Sequence, residues 1–396
     1  MTENDDDPVV IVGARRTPIG MFQGELLPFE APVLGAKSIA AVLTDTGIPP
    51  NDIDEVLMGC VLSAGLRMAP ARQAALGGGL PHAIPCTTIN KVCGSGMKAL
   101  MQGFDAIHSG ASQIVLAGGM ESMTNAPYLL PRARSNYRIG HGSILDHMFL
   151  DGLEDAYDTG TLMGVFGEQT AEAFGIARDE QDEYAAHSLR RSRKAQHDGL
   201  FGMEITPIEL SDGIVNSDEQ PRKASLKRIA KLKPVFAEDG TITAANASSI
   251  SDGAAALMLM RRSDAEQRGL KIRAVVHAHA THAHEPSQYT TAPIDAVHKV
   301  LGYAGWPIGN VDLFEINEAF AVVVLVAMEK LGLPLDIVNI HGGACALGHP
   351  IGATGARIVV TLLNALETHD LKRGIATICI GGGEATAVAI EREVGS

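Results

Sequence analysis

Aromatic side chains supply only 4% of this 396-residue chain, with a single tryptophan, so a core built on large rings is excluded. Packing must come from close backbone approach, for which 43 glycines and many alanines are suited. Cysteine is scarce too: Cys60, Cys86, Cys93, Cys345 and Cys379 are odd in number, widely spaced and without a CxxC pair. That excludes a disulfide framework and fits a reducing compartment. Basic charge is in deficit, and a net charge of −14 argues against non-specific binding to nucleic acid or an anionic membrane. Long apolar runs are missing as well. The longest, AFAVVVLVAM (319–328), falls short of the roughly 20 residues a membrane helix needs. The opening MTENDDDPVVIVGA is acidic, the reverse of a signal or transit peptide, and a cytoplasmic protein is the expectation.

What is present is organised. At this length, with 46% hydrophobic residues, two or three packed units are expected. Strand-like runs occur at 9–14, 55–61, 113–119, 273–280, 313–317, 337–343 and 375–383, alternating with helix-like stretches. This reads as α/β with largely buried sheets. Apolar residues at 97, 100, 101, 104 and 107 have helical spacing, and Gly110 is placed to stop that helix.

A weak internal repeat runs through the chain. NDIDEVLMG (51–59) echoes GNVDLFEIN (309–317), a Gly-rich loop and helix follow each, and VLAGGMES (115–122) echoes CIGGGEAT (379–386). Asp54 to Gly118 spans 64 residues and Asp312 to Gly381 spans 69. Similar order at similar spacing argues for duplicated halves with a site where the Gly-rich loops meet. The charged stretch from about 120 to 246 has little strand character and reads as an insertion in the first half.

Four positions could carry chemistry. Cys93, in NKVCGSGMKAL, lies where a β-like run gives way to a helix. On its own it could be a packed residue, half of a disulfide, a metal ligand or a nucleophile. If it begins the helix, free amides and the helix dipole would favour its thiolate. Gly94 and Gly96 would let backbone N–H groups approach an oxyanion. His349, in GGACALGHPIGATG, sits among glycines before Pro350, a setting for a general base rather than for core filling. Cys379 ends an apolar strand beside three glycines, where ligand sites of α/β sheets gather. Asn317 and Glu318 close the equivalent strand one unit earlier; an asparagine there is a turn former or an orienting group.

Taken together, NKVCGSGMKAL, ESMTNAPY, KLKPVF, NASSISDGAAA, NEAFA, GGACALGHPIGATGAR and CIGGGEA resemble the thiolase family, in that family's order and over residues 10 to 390. The resemblance implies a five-layered αβαβα fold of two βαβαβαββ halves. These would be residues 1–120 with 247–272, and 273–396, with an inserted loop domain at 121–246 for CoA binding and oligomer contacts. It implies a homo-oligomer, dimer or tetramer, acting on acyl-CoA with no permanently bound cofactor and no metal. Cys93 would accept the acyl group and His349 would activate it. Cys379 would move the proton at Cα of the second acyl-CoA. Asn317 through a water, with His349, would form one oxyanion hole, and the backbone N–H groups of Cys93 and Gly381 the other.

A local exception to the acidic balance, PRKASLKRIAKLK (221–233), would border the CoA nucleotide, with Arg222 near it. Ser248 would meet the pantetheine arm, and Leu162 and Met163 would face the same channel. Three departures from the family pattern touch the substrate rather than the four catalytic positions: Ser249 for a glycine, Leu162 for a histidine, and Tyr289 in YTTAP. The implied activity is acetyl-CoA C-acetyltransferase, two acetyl-CoA giving acetoacetyl-CoA and CoA. The alternatives are a degradative 3-ketoacyl-CoA thiolase of broader chain length, or a non-catalytic acyl-CoA or lipid-binding protein on the same fold. In HAHATHAH (277–284), His277 and His279 share a strand face without an intervening carboxylate, which reads as a satisfied pair rather than a metal site. Cys345 reads as a packed residue.

Overall fold

Successive residues of the strand Ser251–Arg261 enter different cores. In the computed structural model, which describes residues 7–135 and 137–393, Ala255, Leu257 and Leu259 pack in one apolar cluster, while Ala254, Ala256, Met258 and Met260 pack in another. A strand buried on both faces in this way needs a helical layer on each side. The main strands are β1 (Val9–Arg16), β2 (Glu55–Gly59), β3 (Cys86–Ile89), β4 (Val115–Ser122), β5 (Ser251–Arg261), β6 (Ala274–Ala283), β7 (Leu313–Ile316), β8 (Arg373–Ile380) and β9 (Glu384–Glu391). They form one sheet in the order β7-β8-β9-β6-β1-β5-β4-β2-β3, with the short Gly20–Met21 strand on β5. The two half-sheets meet edge to edge where Val10 and Ile11 of β1 pair with Val275 and Ala274 of β6. Within each half the chain repeats parallel pairing: β2 with β3 and β4, and β7 with β8.

The main helices are α1 (Ala31–Thr46), α2 (Pro70–Gly77), α3 (Ser95–His108), α4 (Met163–Phe174), α5 (Arg178–His197), α6 (Ala292–Ala304), α7 (Ala321–Leu331) and α8 (Ile351–Thr368). Met97 and Leu100 of α3 and Val359 and Leu362 of α8 fill the central cluster, against Leu257 from one half-sheet and Ile378 and Val388 from the other. The outer faces are covered by α1 and α2 on the first half and by α6 and α7 on the second. The result is five layers, helix, sheet, helix, sheet, helix. The helix expected from residue 97 runs Ser95–His108, and Gly110 ends the turn after it at φ +78°.

The repeat is visible atom by atom. Asp54 Oδ2 accepts from the backbone N–H groups of Gln113 and Ile114 at 2.7 and 2.8 Å. Asp312 Oδ2 accepts from Lys372 and Arg373 at 2.9 and 2.7 Å. The insertion is locked to β1 by a buried cluster in which Arg16 pairs with Glu204 at 2.6 Å and Asp218 at 2.7 Å.

One expected strand is absent. Residues 337–343 make a single bridge, Val338 with Phe314, after a 3₁₀ turn at Leu335–Ile337. The physical reason is Asn339, whose side-chain amide accepts from Ile316 N and donates to Ile316 O, both at 2.8 Å. One side chain takes the place of a strand partner at that edge of β7. The strand β9, by contrast, has no counterpart among the runs expected from the sequence.

Candidate active site

The parallel strands of both halves end on the same side of the layers, and there the central helices begin. Ile89 ends β3, the chain turns through Lys91–Cys93, and α3 starts at Ser95. Val92 takes φ +45°, a left-handed conformation that a β-branched residue adopts only under constraint, at a cost of order 1–3 kcal/mol. That turn sets Cys93 at the mouth of the site. Gly94 leaves room for Ile380, whose Cδ1 lies 2.3 Å from where a Cβ on residue 94 would stand.

Cys93 does not rest as the thiolate expected at a helix start. Burial pushes its thiol up to about 11, against the lowering from the backbone N–H groups of Gly381 and of Cys93 itself. A proton must therefore leave as the sulfur attacks, which requires a base. His349 is buried, and burial together with the nearby Arg357 guanidinium pushes its imidazole down to about 3, so it is neutral near pH 7. Its Nδ1 lies 2.7 Å from Thr354 Oγ1, and that hydroxyl stands 2.9 Å from the Pro350 carbonyl. Since the carbonyl can only accept, Thr354 donates to it and accepts from Nδ1–H. The lone pair is then on Nε2, a buried atom without a hydrogen-bond partner. The backbone N–H of His349 donates to Ser249 O at 3.0 Å, so the serine that replaces a glycine holds the histidine by its main chain.

Cys379, near the end of β8, is also buried, and its thiol is pushed far up by burial and by the proximity of Cys93. Two thiols whose charges repel each other cannot both be ionised. Tyr289 stands beside the pair: burial, and then the two cysteines, push its phenol up, its hydroxyl donates to Met163 O at 2.9 Å, and its ring packs edge-on to Phe166. Asn317, just beyond β7, has both side-chain polar atoms buried without a partner, the setting for an ordered water or a ligand atom. Its neighbour Glu318 is fully engaged, accepting from Tyr184, Ser188, Asn339 and the backbone N–H of Cys345. Cys345 itself packs in the apolar core of the second half.

A cleft of about 440 Å³ leads toward the thiols, lined in part by Leu162, Met163, Phe236, Ser248, Ser249 and Phe320. Met163 joins the two regions, since its sulfur lies 3.2 Å from where a Cβ on Gly381 would sit. A second hollow of about 220 Å³ shares Met21, Gln220 and Ala244 with the first and adds Lys223 and Arg228. Arg222, the basic residue expected at this place, lines neither. Glu25 holds its guanidinium at 2.5 Å.

Two residues of the site were not anticipated from the sequence. Thr354 sets the tautomer of His349. Glu121, buried at the end of β4, accepts from Val61, Leu62 and Gly352 N at 3.0, 3.2 and 2.9 Å, tying the start of α8 to the first half, and burial pushes its carboxyl up to about 7. The ESMTNAPY motif was the only signal that could have pointed to it. In HAHATHAH, His277 and His279 each have a carboxylate from another element, Glu391 at 2.5 Å and Asp105 at 2.9 Å.

The thiolase N-terminal domain matches residues 9–263 and the thiolase C-terminal domain matches 270–392. The chain belongs to the thiolase family. It is 45% identical to an acetyl-CoA acetyltransferase of Pseudomonas aeruginosa, over 97% of this chain and 99% of that one. It is 48% identical to acetyl-CoA acetyltransferase 2 of Arabidopsis thaliana, over 97% and 96%. Among solved structures, the Acat5 thiolase of Ascaris suum in complex with coenzyme A superposes with a TM-score of 0.93 at 40% identity, over 98% of this chain and all of that one.

Proposed function

We propose that this thiolase is an acetyl-CoA C-acetyltransferase, condensing two acetyl-CoA to acetoacetyl-CoA and CoA and cleaving the product in reverse. The observation that carries the reading is the pair of thiols, the partly buried Cys93 and the buried Cys379, beside the backbone N–H of Gly381 and a neutral His349.

His349 Nε2 takes the Cys93 proton as the sulfur attacks the first thioester carbonyl, and the N–H groups of Cys93 and Gly381 hold the oxyanion. The CoA thiolate departs with the proton of Cys379. This leaves an acetyl thioester on Cys93, an imidazolium at His349 and a thiolate at Cys379. That thiolate is strongly basic, because burial raised its pKa, and it removes the Cα proton of the second acetyl-CoA. Asn317 through a water, with the imidazolium, receives the enolate oxygen. The enolate carbon attacks the acetyl group, Cys93 leaves and takes its proton back from His349, and both thiols are restored. A covalent intermediate divides one difficult exchange into two easier steps, and losing one oxyanion donor typically costs roughly 10²–10³ in rate.

The pantetheine arm would lie in the cleft on Ser248, Leu162 and Met163, with the phosphates toward Lys223 and Arg228; Arg222 would reach them only by leaving Glu25. Residues 121–246 act as the inserted domain of the first half, residues 1–120 with 247–272, and 273–396 form the second. Acyl-CoA is substrate, and the chemistry calls for no resident cofactor. Exposed Tyr128, Leu130, Ile139 and Ile144 support oligomer contacts in the inserted segment, as a dimer or tetramer. The five unpaired cysteines support a reducing compartment such as the cytoplasm, and the acyl-CoA substrate a place in fatty acid metabolism. The test is to mix the purified chain with acetoacetyl-CoA and CoA and follow loss of the 3-ketoacyl absorbance. Turnover that disappears in Cys93→Ala supports the reading; undiminished turnover in that variant, or none in the wild type, refutes it.

A further inference from the structure

We propose that His282, His284 and Asp295 form a binding site for one divalent transition ion of borderline softness, such as Zn²⁺. His282 lies at the end of β6, His284 follows one residue beyond the strand's end, and Asp295 lies in the first turn of α6. The ligand atoms of all three lie within 4.8 Å of one another, the one such His/Cys/Asp/Glu group among the described residues.

Convergence is supported by the bonding of each group. His282 Nε2 stands 3.3 Å from Asp295 Oδ2, yet neither ring nitrogen of His282 has a hydrogen-bond partner, and both atoms are buried. That spacing is long for a hydrogen bond, whereas ligands bound tetrahedrally at about 2.0–2.1 Å lie about 3.4 Å apart. His284 Nε2 lies 2.7 Å from the Gln288 carbonyl, which can only accept. Its proton is therefore on Nε2 and Nδ1 keeps the lone pair, the way a ligating histidine is oriented by a carbonyl behind it. The two rings stand nearly perpendicular, 5.1 Å apart. Asp295 is half exposed, which gives an ion an entry path. The opposing charge is Lys299, whose ammonium bonds Thr281 O at 3.3 Å. The site also touches the catalytic region, since His284 N donates to Gly383 O at 2.9 Å, two residues beyond Gly381.

The untagged full chain is titrated with Zn²⁺ by calorimetry and with Co²⁺ by absorption. One ion per chain is expected, with visible Co²⁺ bands and no near-ultraviolet thiolate charge-transfer band, which separates this site from Cys93 and Cys379. His282→Ala and His284→Ala should each weaken binding roughly 10–100-fold or more, and the exposed Asp295→Asn, which leaves the fold undisturbed, should weaken it as well. His277→Ala with His279→Ala should leave it unchanged. Absence of binding in the wild type, a thiolate band, or unaltered affinity in both His284→Ala and Asp295→Asn would overturn the proposal.

Discussion

Thr354 Oγ1 lies 2.7 Å from His349 Nδ1 and gives its own hydrogen to the Pro350 carbonyl. The hydroxyl thus fixes which imidazole nitrogen is basic. Thr354→Val keeps the shape and removes the acceptor, leaving a buried Nδ1–H unpaired at a cost of about 1–3 kcal/mol. The expected outcome is a kcat lower by roughly 10–100-fold with KM little changed, and recovery in Thr354→Ser. Stopped-flow acylation of Cys93 by acetyl-CoA measures it. A Thr354→Val enzyme that acylates at the wild-type rate would show that the hydroxyl does not set the tautomer.

Buried neutral histidines also set how the fold responds to acid. His349 is pushed down to about 3 and His341, buried against Phe201 and His369, to about 4. Between the ordinary histidine pKa of about 6.5 and these values, the unfolded chain takes up protons that the folded one refuses. Stability therefore falls as pH falls through this window and is unaffected by these groups above it. From pH 6.5 to 5 each histidine lowers stability by up to about 2 kcal/mol. Urea unfolding at the two pH values should show a lower midpoint at pH 5, with part of the drop lost in His341→Gln. A midpoint that holds steady would mean that neither ring is buried neutral.

The parts of the site that are legible in the sequence share one property: their chemistry is odd for their surroundings. A histidine in a run of glycines, or a cysteine between a strand and two glycines, has no packing purpose, so Cys93, His349 and Cys379 stand out. Asp54 and Asp312 stand out by their matching place in a repeat, and they make matching bonds 258 positions apart. What stayed hidden depends on partners far away in the chain or on a turn. Thr354 looks like any threonine inside a helix until the turn at Pro350 brings it under the imidazole. A run of six basic residues does not say which one faces a ligand, because Glu25, 197 positions earlier, claims Arg222. The run 337–343 has the apolar character of a strand, but the Asn339 amide already satisfies the edge it would have joined.

The two thiols should separate by half-reaction. Cys93→Ala should abolish both acylation and overall turnover, because the sulfur that accepts the acyl group is lost. Cys379→Ala acylates Cys93 more slowly, since the departing CoA thiolate loses its proton donor, but still accumulates an acylated Cys93, detectable as a mass increment after incubation with acetyl-CoA. Condensation and thiolysis fall by roughly 10²–10⁴-fold, the typical contribution of a positioned acid or base. If Cys379→Ala condensed acetyl-CoA at near the wild-type rate, another group would have to move the Cα proton.

Tyr289 is expected to limit acyl-chain length. Its ring is 3% exposed and joins Phe166, Phe320 and Cys379 in one apolar cluster, with Met163 against it. Its hydroxyl is anchored on Met163 O, so the ring cannot swing away without giving up a buried hydrogen bond. An acyl group on Cys93 longer than acetyl would meet this wall, and each methylene accommodated or refused in an apolar pocket is worth about 1–3 kcal/mol. Tyr289→Leu removes the wall while keeping an apolar residue in the cluster. The ratio of kcat/KM for 3-ketohexanoyl-CoA to that for acetoacetyl-CoA should then rise by about tenfold or more. Tyr289→Phe keeps the ring and loses only the hydroxyl, so its ratio should stay near that of the wild type. If Tyr289→Leu leaves the ratio where it was, the limit on chain length lies elsewhere in the cleft, and Leu162 becomes the residue to replace.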